Sequence, residues 1–300
     1  YELIDEQGET VGAFYTDWFP RKEKRPGAWM GSFVTGGPRT DGFLPHVATI
    51  CGHFTPPQNG KPALLTHDEV QTTFHEFGHL LHHCTSRVEV PSRAGIHVSW
   101  DWVELPSQLM ENWTWERTAL DLFARHHETG EPLPDPLFLK MMEAKRFMGG
   151  WAQMRQLSFG IVDLELHTDV APELRSPAAG EEDDDLRMGQ EILARARERF
   201  GDFAPSPEFA DLHNLTSFSH LFAGGYAAGY YSYLWSEVMD ADAFAAFEET
   251  GDVFDASMAK KLKKYIYSAG NQRDPSEAYV AFRGREPEVE GMLKKRGLAG

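Results

Sequence analysis

The spacing of hydrophobic residues divides the chain into a short β-rich beginning and a long helical remainder. In the first sixty residues, apolar runs of strand length alternate with turns such as Arg25-Pro26-Gly27. Three runs have the composition of strands: Val11–Tyr15, Trp29–Phe33 and His46–Cys51. From Thr66 onward, apolar residues recur at helical spacing instead. The pattern predicts an α+β fold that is mostly helical, with a small β-sheet near the N-terminus.

The first long helix carries its own start signal. Thr66-His67-Asp68-Glu69 has the form of a capping box, in which Thr66 caps the helix and Glu69 lies three residues later. The apolar spacing that follows predicts a helix of about 18 residues. Further helical regions are expected over Trp102–His126, Asp135–His167, Asp185–Phe200, from the aromatic segment Phe218–Trp235 to about Glu249, and towards Gly300.

No repeat and no long linker interrupts this pattern, which predicts one domain over residues 1–300. The acidic, proline-containing stretch Ala171–Asp185 is expected to be a solvated loop that leads into a helix. The apolar run His46–Phe54 has two interpretations. It is either an ordinary sheet strand or an edge strand that pairs with an extended peptide.

Composition excludes several classes of partner. A formal net charge of −17 disfavours nucleic acid and anionic membranes, and no apolar run approaches the roughly 20 residues that span a bilayer. The acidity either serves solubility or favours basic peptides, and solubility is the simpler reading. Two cysteines, Cys51 and Cys84, make no disulfide framework and indicate a reducing compartment. We expect a cytoplasmic monomer, with further sequence upstream of Tyr1.

One short motif carries candidate metal chemistry. In His75-Glu76-Phe77-Gly78-His79, two histidines four residues apart project from one helix face and can share a metal ion. Glu76 lies between them, where it can reach a water on that metal as a general base. This arrangement is typical of zinc peptidases, although a five-residue motif also occurs by chance.

A catalytic zinc usually takes a third protein ligand and leaves one position for water. His82 lies seven residues after His75, about 10 Å along the helix axis, which is too far to share the ion. We expect His82 and His83 to be a packing residue and a surface residue. Glu104 lies 25 residues after His79 and can return to the metal on a second helix.

The second helical pattern contains a polar stripe flanked by tryptophan and leucine. Its members are Asp101, Glu104, Gln108 and Glu111. Enclosed carboxylates need a positive partner, which zinc would supply; the alternative is an exposed acidic face. Glu111 or Asp101 is a candidate acceptor for the free N–H of a ligand imidazole.

A third set of candidates lies in the aromatic segment that follows His220. Gly224 and Gly225 permit unusual backbone angles, and the next residues include Tyr226, Tyr230, Tyr231 and Tyr233. Their hydroxyl groups and the imidazole are donors that can stabilise an oxyanion. Aromatic stripes are more often core, which is the expectation for Tyr231. For His220, Tyr226 and Tyr233 the functional reading is preferred, with Tyr230 as a weaker member.

The motif is accompanied by segments that resemble a known family along nearly the whole chain. These segments are His46–Thr49, Asn59–Leu64, Val103–Trp113, His220–Tyr226, Tyr230–Trp235 and Phe282–Pro287. Together with His75–His79, they resemble the thimet-oligopeptidase family of zinc metallopeptidases. The bacterial oligopeptidase A branch is the most similar, and the peptidyl-dipeptidases are near relatives.

The resemblance implies a zincin-like catalytic lobe that holds one Zn²⁺ per chain on His75, His79 and Glu104, with Glu76 as general base. It also implies that His220, Tyr226 and Tyr233 contact the substrate. Members of this family are longer, with a large helical region ahead of the matching segment that forms the opposite wall of a channel. We therefore expect this chain to lack that N-terminal half.

The expected activity is hydrolysis of internal bonds in short peptides by a zinc-activated water. One alternative is a peptidyl-dipeptidase that releases C-terminal dipeptides. The other is an inactive fragment that binds zinc or peptide without turnover.

Overall fold

In a computed structural model, which describes residues 1–170, 182–209 and 215–299, the N-terminal residues form the expected small sheet. The strands are β1 Glu2–Ile4, β2 Thr10–Asp17, β3 Trp29–Val34, β4 Gly37–Arg39, β5 Gly42–Leu44 and β6 His46–Cys51. All three strands expected from the sequence are present, and the rest of the described chain is mainly helical. The predicted α+β class, mostly helical with an N-terminal sheet, is confirmed.

The four-stranded sheet has the order β1-β2-β6-β3, and β4 and β5 form a separate hairpin. Strand β6 pairs in parallel with β2 and antiparallel with β3, so both of its edges are hydrogen-bonded. The interpretation of His46–Phe54 as an edge strand open to peptide is therefore wrong. The pattern of one strand does not reveal its neighbours, and here Trp29–Val34 occupies the position beside it.

The helices are α1 His67–Cys84, α2 Trp100–Val103, α3 Leu105–Glu111, α4 Arg117–Phe123, α5 Asp135–Arg146, α6 Gly149–Glu165, α7 Glu182–Phe203, α8 Ser219–Phe222, α9 Ser232–Glu248, α10 Ala256–Leu262, α11 Pro275–Arg283 and α12 Val289–Lys295. Residues Leu166–Val170 and Lys263–Tyr267 form single π-helical turns. Most of the predicted stretch Ala171–Asp185 lies outside the described residues, and α7 begins at Glu182. No helix in the described ranges is long and apolar enough to cross a membrane.

Helix α1 forms where its start signal predicts. The Thr66 side chain accepts a hydrogen bond from the Glu69 backbone N–H, and the Glu69 carboxylate accepts one from the backbone N–H of Thr66. This reciprocal cap satisfies donors that the first helical turn leaves unpaired. On its buried side, α1 places Leu80 and Cys84 against Ala48 and Ile50 of the sheet, all four nearly inaccessible to solvent.

The second helical pattern is not one helix, contrary to the prediction for Trp102–His126. It is divided into α2, α3, a 3₁₀ turn at Asn112–Trp115, and α4. Pro106 lies at the start of α3 and has no N–H to donate to the preceding turn, which ends α2 just before Glu104. The break matters because Glu104 lies at the junction, where its backbone is not constrained by a continuous helix.

The described chain forms two compact units. Unit 1 contains Tyr1–Met142 and Ser236–Met292, and unit 2 contains Glu143–Trp235 and the residues from Leu293 onward. The largest core of unit 1 is aromatic, with Trp113, Phe247 and Tyr279 among its buried members. The core of unit 2 is centred on Phe159 and Phe200. Both cysteines are buried and free.

Candidate metal centre and aromatic loop

The structure brings His75, His79 and Glu104 together in unit 1. The Nε2 atom of His75 and the Nε2 atom of His79 each lie 3.3 Å from the Glu104 Oε2 atom. All three potential ligand atoms lie within 4.8 Å of one another. Ligands about 2.0–2.1 Å from a tetrahedral zinc are separated by roughly 3.3 Å, so the observed spacing fits that ion.

Helix α1 and helix α3 reach this spacing because they cross at a glycine. A Cβ atom on Gly78 would lie 2.5 Å from the Pro106 carbonyl oxygen and 2.6 Å from the Ser107 Cα atom. Only glycine therefore allows the two backbones to approach this closely. The Tyr267 hydroxyl donates to the same Pro106 carbonyl at 2.8 Å, which fixes the α3 side of the crossing.

Hydrogen bonds hold two of the three side chains in place. The second ring nitrogen of His75, Nδ1, lies 2.7 Å from Glu111 Oε1, and Gln71 donates to the other oxygen of Glu111. A histidine that uses Nδ1 in this way presents Nε2 to a metal. The Ser107 hydroxyl lies 2.8 Å from Glu104 Oε2 and donates to it, as it does to the Glu104 carbonyl oxygen. Of the two proposed imidazole acceptors, Glu111 fills the role.

Burial and charge act in opposite directions at this cluster. Burial disfavours the charged imidazolium of His75, but hydrogen bonds to Glu104 and Glu111 outweigh burial and raise its pKa well above the usual value. Burial likewise raises the pKa of Glu104, and the attraction of His79 and His75 overcomes it, so that the pKa falls well below normal. Glu104 therefore keeps its negative charge, as a metal ligand must.

Glu76 is enclosed next to the cluster. Only 6% of its surface is exposed, and its Oε2 atom has no hydrogen-bond partner among the described residues. Burial is the largest influence on this carboxyl group and raises its pKa, against the opposing pull of His75 and His79. A buried carboxylate oxygen without a partner fits a site that receives a water or a substrate group.

His82 and His83 do not join the donor set, as the helical spacing predicts. Both are fully buried, so the expectation that one of them lies on the surface is wrong. The His83 Nε2 atom lies 3.1 Å from the Val34 carbonyl oxygen, and the His83 ring packs against His46. The sheet covers the face of α1 that carries His83, and the periodicity of α1 alone does not show this.

The second group of candidates forms a cluster in unit 2. The rings of Tyr226 and Tyr233 stack with centroids 5.2 Å apart, and the His220 ring lies 5.7 Å from Tyr226 and 6.0 Å from Tyr233. Tyr230 packs into the unit 2 core against Phe159, and its ring centroid also lies 5.2 Å from that of Tyr233. Tyr231 is 40% exposed, so its expected place in the core is wrong.

The backbone of this aromatic loop depends on glycine and on one buried carboxylate. Gly225 has a φ of +86°, and a Cβ atom on Gly224 would lie 3.0 Å from the His220 Cα atom. The Asp163 side chain is fully buried and accepts the backbone N–H groups of Ala228 and Tyr230. The loop that joins His220 to Tyr233 is therefore held in a defined conformation.

Sequence reasoning did not identify Gln71, Ser107 and Asp163 as supporting residues. Gln71 has a local signal, because it lies four residues before His75 on the same face of α1. Ser107 lies three residues after Glu104, which is the spacing of a side chain that bonds back to a helix start. Asp163 has no such signal, because its partners lie more than sixty residues away in the sequence.

The sequence of this chain matches the model of one protein family over almost its whole length. The model of peptidase family M3 matches residues 1–298. The chain belongs to peptidase family M3. This confirms the resemblance that the motifs indicate.

Curated members of the family match the whole chain but only part of their own length. Oligopeptidase A of Escherichia coli strain K12 is 45% identical over 304 residues, which cover 100% of this chain and 42% of the relative. Organellar oligopeptidase A of Arabidopsis thaliana is 41% identical over 99% of this chain and 37% of its own length. Dipeptidyl carboxypeptidase of E. coli is 34% identical over 99% of this chain and 41% of its own length. The chain thus spans about two fifths of these relatives.

Proposed function

We propose that this chain carries the zinc site of a metallo-oligopeptidase that cleaves internal bonds of short peptides. The observation that supports the proposal most directly is that two imidazole nitrogens each lie 3.3 Å from one carboxylate oxygen. Zinc sites with three protein ligands and one open position are catalytic, whereas structural sites have four protein ligands. In the described residues, the cluster has no fourth His, Cys, Asp or Glu donor.

His75, His79 and Glu104 would hold one Zn²⁺ per chain. When bound there, the ion would supply Lewis acidity that polarises a peptide carbonyl and lowers the pKa of a water. Glu76 Oε2 accepts the proton of the attacking water and returns it to the leaving amine. Glu111 and Ser107 keep His75 and Glu104 in their binding orientations through the hydrogen bonds described above.

We assign His220, Tyr226 and Tyr233 to the stabilisation of the oxyanion and to substrate contact. Two observations support this assignment. The segments that contain these residues resemble the family, and their three rings pack against one another in unit 2. We further propose that residues 1–300 act as one catalytic domain, in the cytoplasm and as a monomer. The E. coli and organellar Arabidopsis relatives described above are both named as oligopeptidase A, which favours short peptides as substrates.

The deciding experiment replaces Glu76 with Gln in the 300-residue chain. We expect Glu76→Gln to keep about one zinc per chain by metal analysis and to lose 10²–10⁴-fold in cleavage of a quenched peptide, because the proton acceptor is gone. The exposed Glu89→Gln variant is the matched control and should cleave like the parent chain. Wild-type cleavage by Glu76→Gln would rule out Glu76 as the base.

A second activity is favoured by the 34% identity to dipeptidyl carboxypeptidase. The two activities differ in their products, so one peptide is digested with a free and with an amidated C-terminus and analysed by mass spectrometry. Internal cleavage of both peptides supports an endopeptidase. Stepwise loss of dipeptides from the free form alone would support the peptidyl-dipeptidase instead. Zinc at one per chain without any hydrolysis would indicate a binding fragment.

A further inference from the structure

Unit 1 contains a second concave site that shares no lining residue with the donor set. It is a cavity of about 420 Å³, with Phe74 and Leu81 of α1, Trp113, Phe247 and Leu262 in its walls. His75, His79 and Glu104 do not line it. Its volume lies in the range of about 300–1,000 Å³ that small-molecule sites occupy.

The rim of this cavity leaves large apolar side chains in water. Leu122 is 71% exposed, and Phe123 and Phe254 are more than two fifths exposed. Single exposed leucines are common in proteins, but three large apolar residues around one apolar recess form a contiguous patch. Such a patch gains free energy when an apolar ligand covers it.

The polar side chains in the lining are nearly all committed to the protein itself. The Thr85 hydroxyl donates to the Leu81 carbonyl, the Trp113 indole N–H to the Val253 carbonyl, and the Tyr267 hydroxyl to the Pro106 carbonyl. These groups have no donor left for a ligand. Most of the other lining residues are apolar, so these walls favour an apolar ligand surface.

Lys263 is the exception. It is the one charged residue in the lining, and it makes no ion pair within the described part of the chain. It also begins the π-helical turn Lys263–Tyr267, and both ends of that turn line the cavity. Single π-helical turns are frequent at functional sites. The cavity thus combines apolar walls with one cation.

We propose that this cavity binds a small amphipathic monocarboxylate, such as a medium-chain fatty acid anion. The apolar tail fills the recess between Phe74, Trp113 and Leu262. The carboxylate pairs with the Lys263 ammonium, which is complementary in charge and can donate up to three hydrogen bonds. This proposal does not depend on the metal site or on peptidase activity.

The test is a calorimetric titration of the full 300-residue chain with decanoate, with decan-1-ol as the uncharged probe of the same length. We expect saturable binding of one decanoate per chain. Lys263→Met should weaken decanoate binding at least tenfold and leave decan-1-ol binding unchanged, because only the charge pair is lost. Lys264→Met is the matched control: it removes the neighbouring charge, which lies over Tyr265 and not in the cavity lining.

A second variant locates the binding site. Ala259 lines the cavity and is exposed, so Ala259→Trp fills the recess without burying a larger side chain in the core. We expect Ala259→Trp to keep its helical circular dichroism and to lose both ligands. The proposal is overturned if the parent chain shows no saturable decanoate binding below 1 mM, if Lys264→Met weakens binding as much as Lys263→Met, or if Ala259→Trp binds decanoate normally. If decanoate does not bind, an apolar side chain of a polypeptide is the occupant that fits the recess instead.

Discussion

Among individual residues, the hydrogen-bond partners of the proposed zinc ligands are as informative as the ligands themselves. Glu104 lies at the junction between α2 and α3, where no continuous helix fixes its side chain. Its Oε2 atom is positioned by the Ser107 hydroxyl, which is itself fully buried. We infer that the affinity for zinc depends on this hydrogen bond.

Replacing Ser107 with Ala should weaken zinc binding by about 10–100-fold, the usual effect of losing a partner that orients a ligand. Zinc affinity is measured by competition with a chelating dye, so the readout does not require peptidase activity. Buried Ser158 offers a matched control, because its hydroxyl donates only to the carbonyl three residues earlier. Ser158→Ala should bind zinc normally. Equal zinc affinity in Ser107→Ala and the parent chain would remove the positioning role.

A buried histidine away from the metal ligands predicts acid sensitivity. The Nδ1 atom of His46 accepts the Gly36 N–H, so Nε2 carries the proton and donates to the Ser86 carbonyl. Burial lowers the pKa of His46 to about 4, with a further contribution from His83. The folded state thus binds fewer protons than the unfolded state between the unfolded value of about 6.5 and pH 4.

The stabilising contribution of neutral His46 is therefore complete above pH 6.5 and is lost as the pH falls to about 4. The expected loss in unfolding free energy is about 3 kcal/mol. Urea unfolding at several pH values gives the free energy of unfolding at each pH. This free energy should depend less steeply on pH in His46→Gln than in the parent chain. The exposed His53→Gln variant serves as control and should keep the parental slope. Parallel slopes for His46→Gln and the parent would contradict the assignment.

At the scale of elements, the crossing of α1 and α3 decides whether the site forms. The sequence marks α1 with a capping box, but it does not show that Gly78 faces another backbone. A methyl group at position 78 would meet the Pro106 carbonyl and the Ser107 Cα atom, neither of which is a flexible side-chain end. Separation of the two helices would move Glu104 away from His75 and His79.

Gly78→Ala should therefore destabilise the chain by about 1–3 kcal/mol and weaken zinc binding together, because overpacking moves α3. Denaturant unfolding measures the change in stability, and competition with the chelating dye measures the change in zinc affinity. Gly189→Ala in α7 is the matched control, since its Cβ atom would meet nothing within 4 Å. Its expected effect is a gain of about 0.5–1 kcal/mol from helix propensity. A neutral Gly78→Ala would show that the crossing tolerates a side chain.

At the scale of the whole molecule, the chain matches its family from residue 1 to residue 298 while spanning 42% of oligopeptidase A. All three proposed ligands lie in unit 1, and the aromatic loop lies in unit 2. We therefore expect zinc binding at this site to be coupled to the folding of unit 1.

Zinc should raise the thermal stability of the chain, because a ligand that binds only the folded state stabilises it. At free zinc a thousandfold above the dissociation constant, the gain is about 4 kcal/mol. Calorimetric melting curves with zinc and with excess chelator give the difference. The His79→Ala variant should show little response to zinc. A parent chain that melts at the same temperature under both conditions would contradict a site on His75, His79 and Glu104.

Short-range patterns along the chain are enough to predict the local features of this protein. The capping box at Thr66, the helix after it and the four-residue spacing of His75 and His79 depend only on short-range periodicity. The family motifs also identified Glu104 as the partner that the structure places beside them. These predictions succeeded because each depends on residues within one or two neighbouring elements.

The tertiary structure sets which surfaces those elements share. It paired β6 on both edges, buried His83 beneath the sheet and His82 beside Tyr267, and divided the second helix at Pro106. It also brought Ser107 and Glu111 onto the ligands and left an apolar cavity beside Lys263. Burial and close backbone approach depend on contacts between residues far apart in the chain, and the periodicity of a single segment does not contain that information.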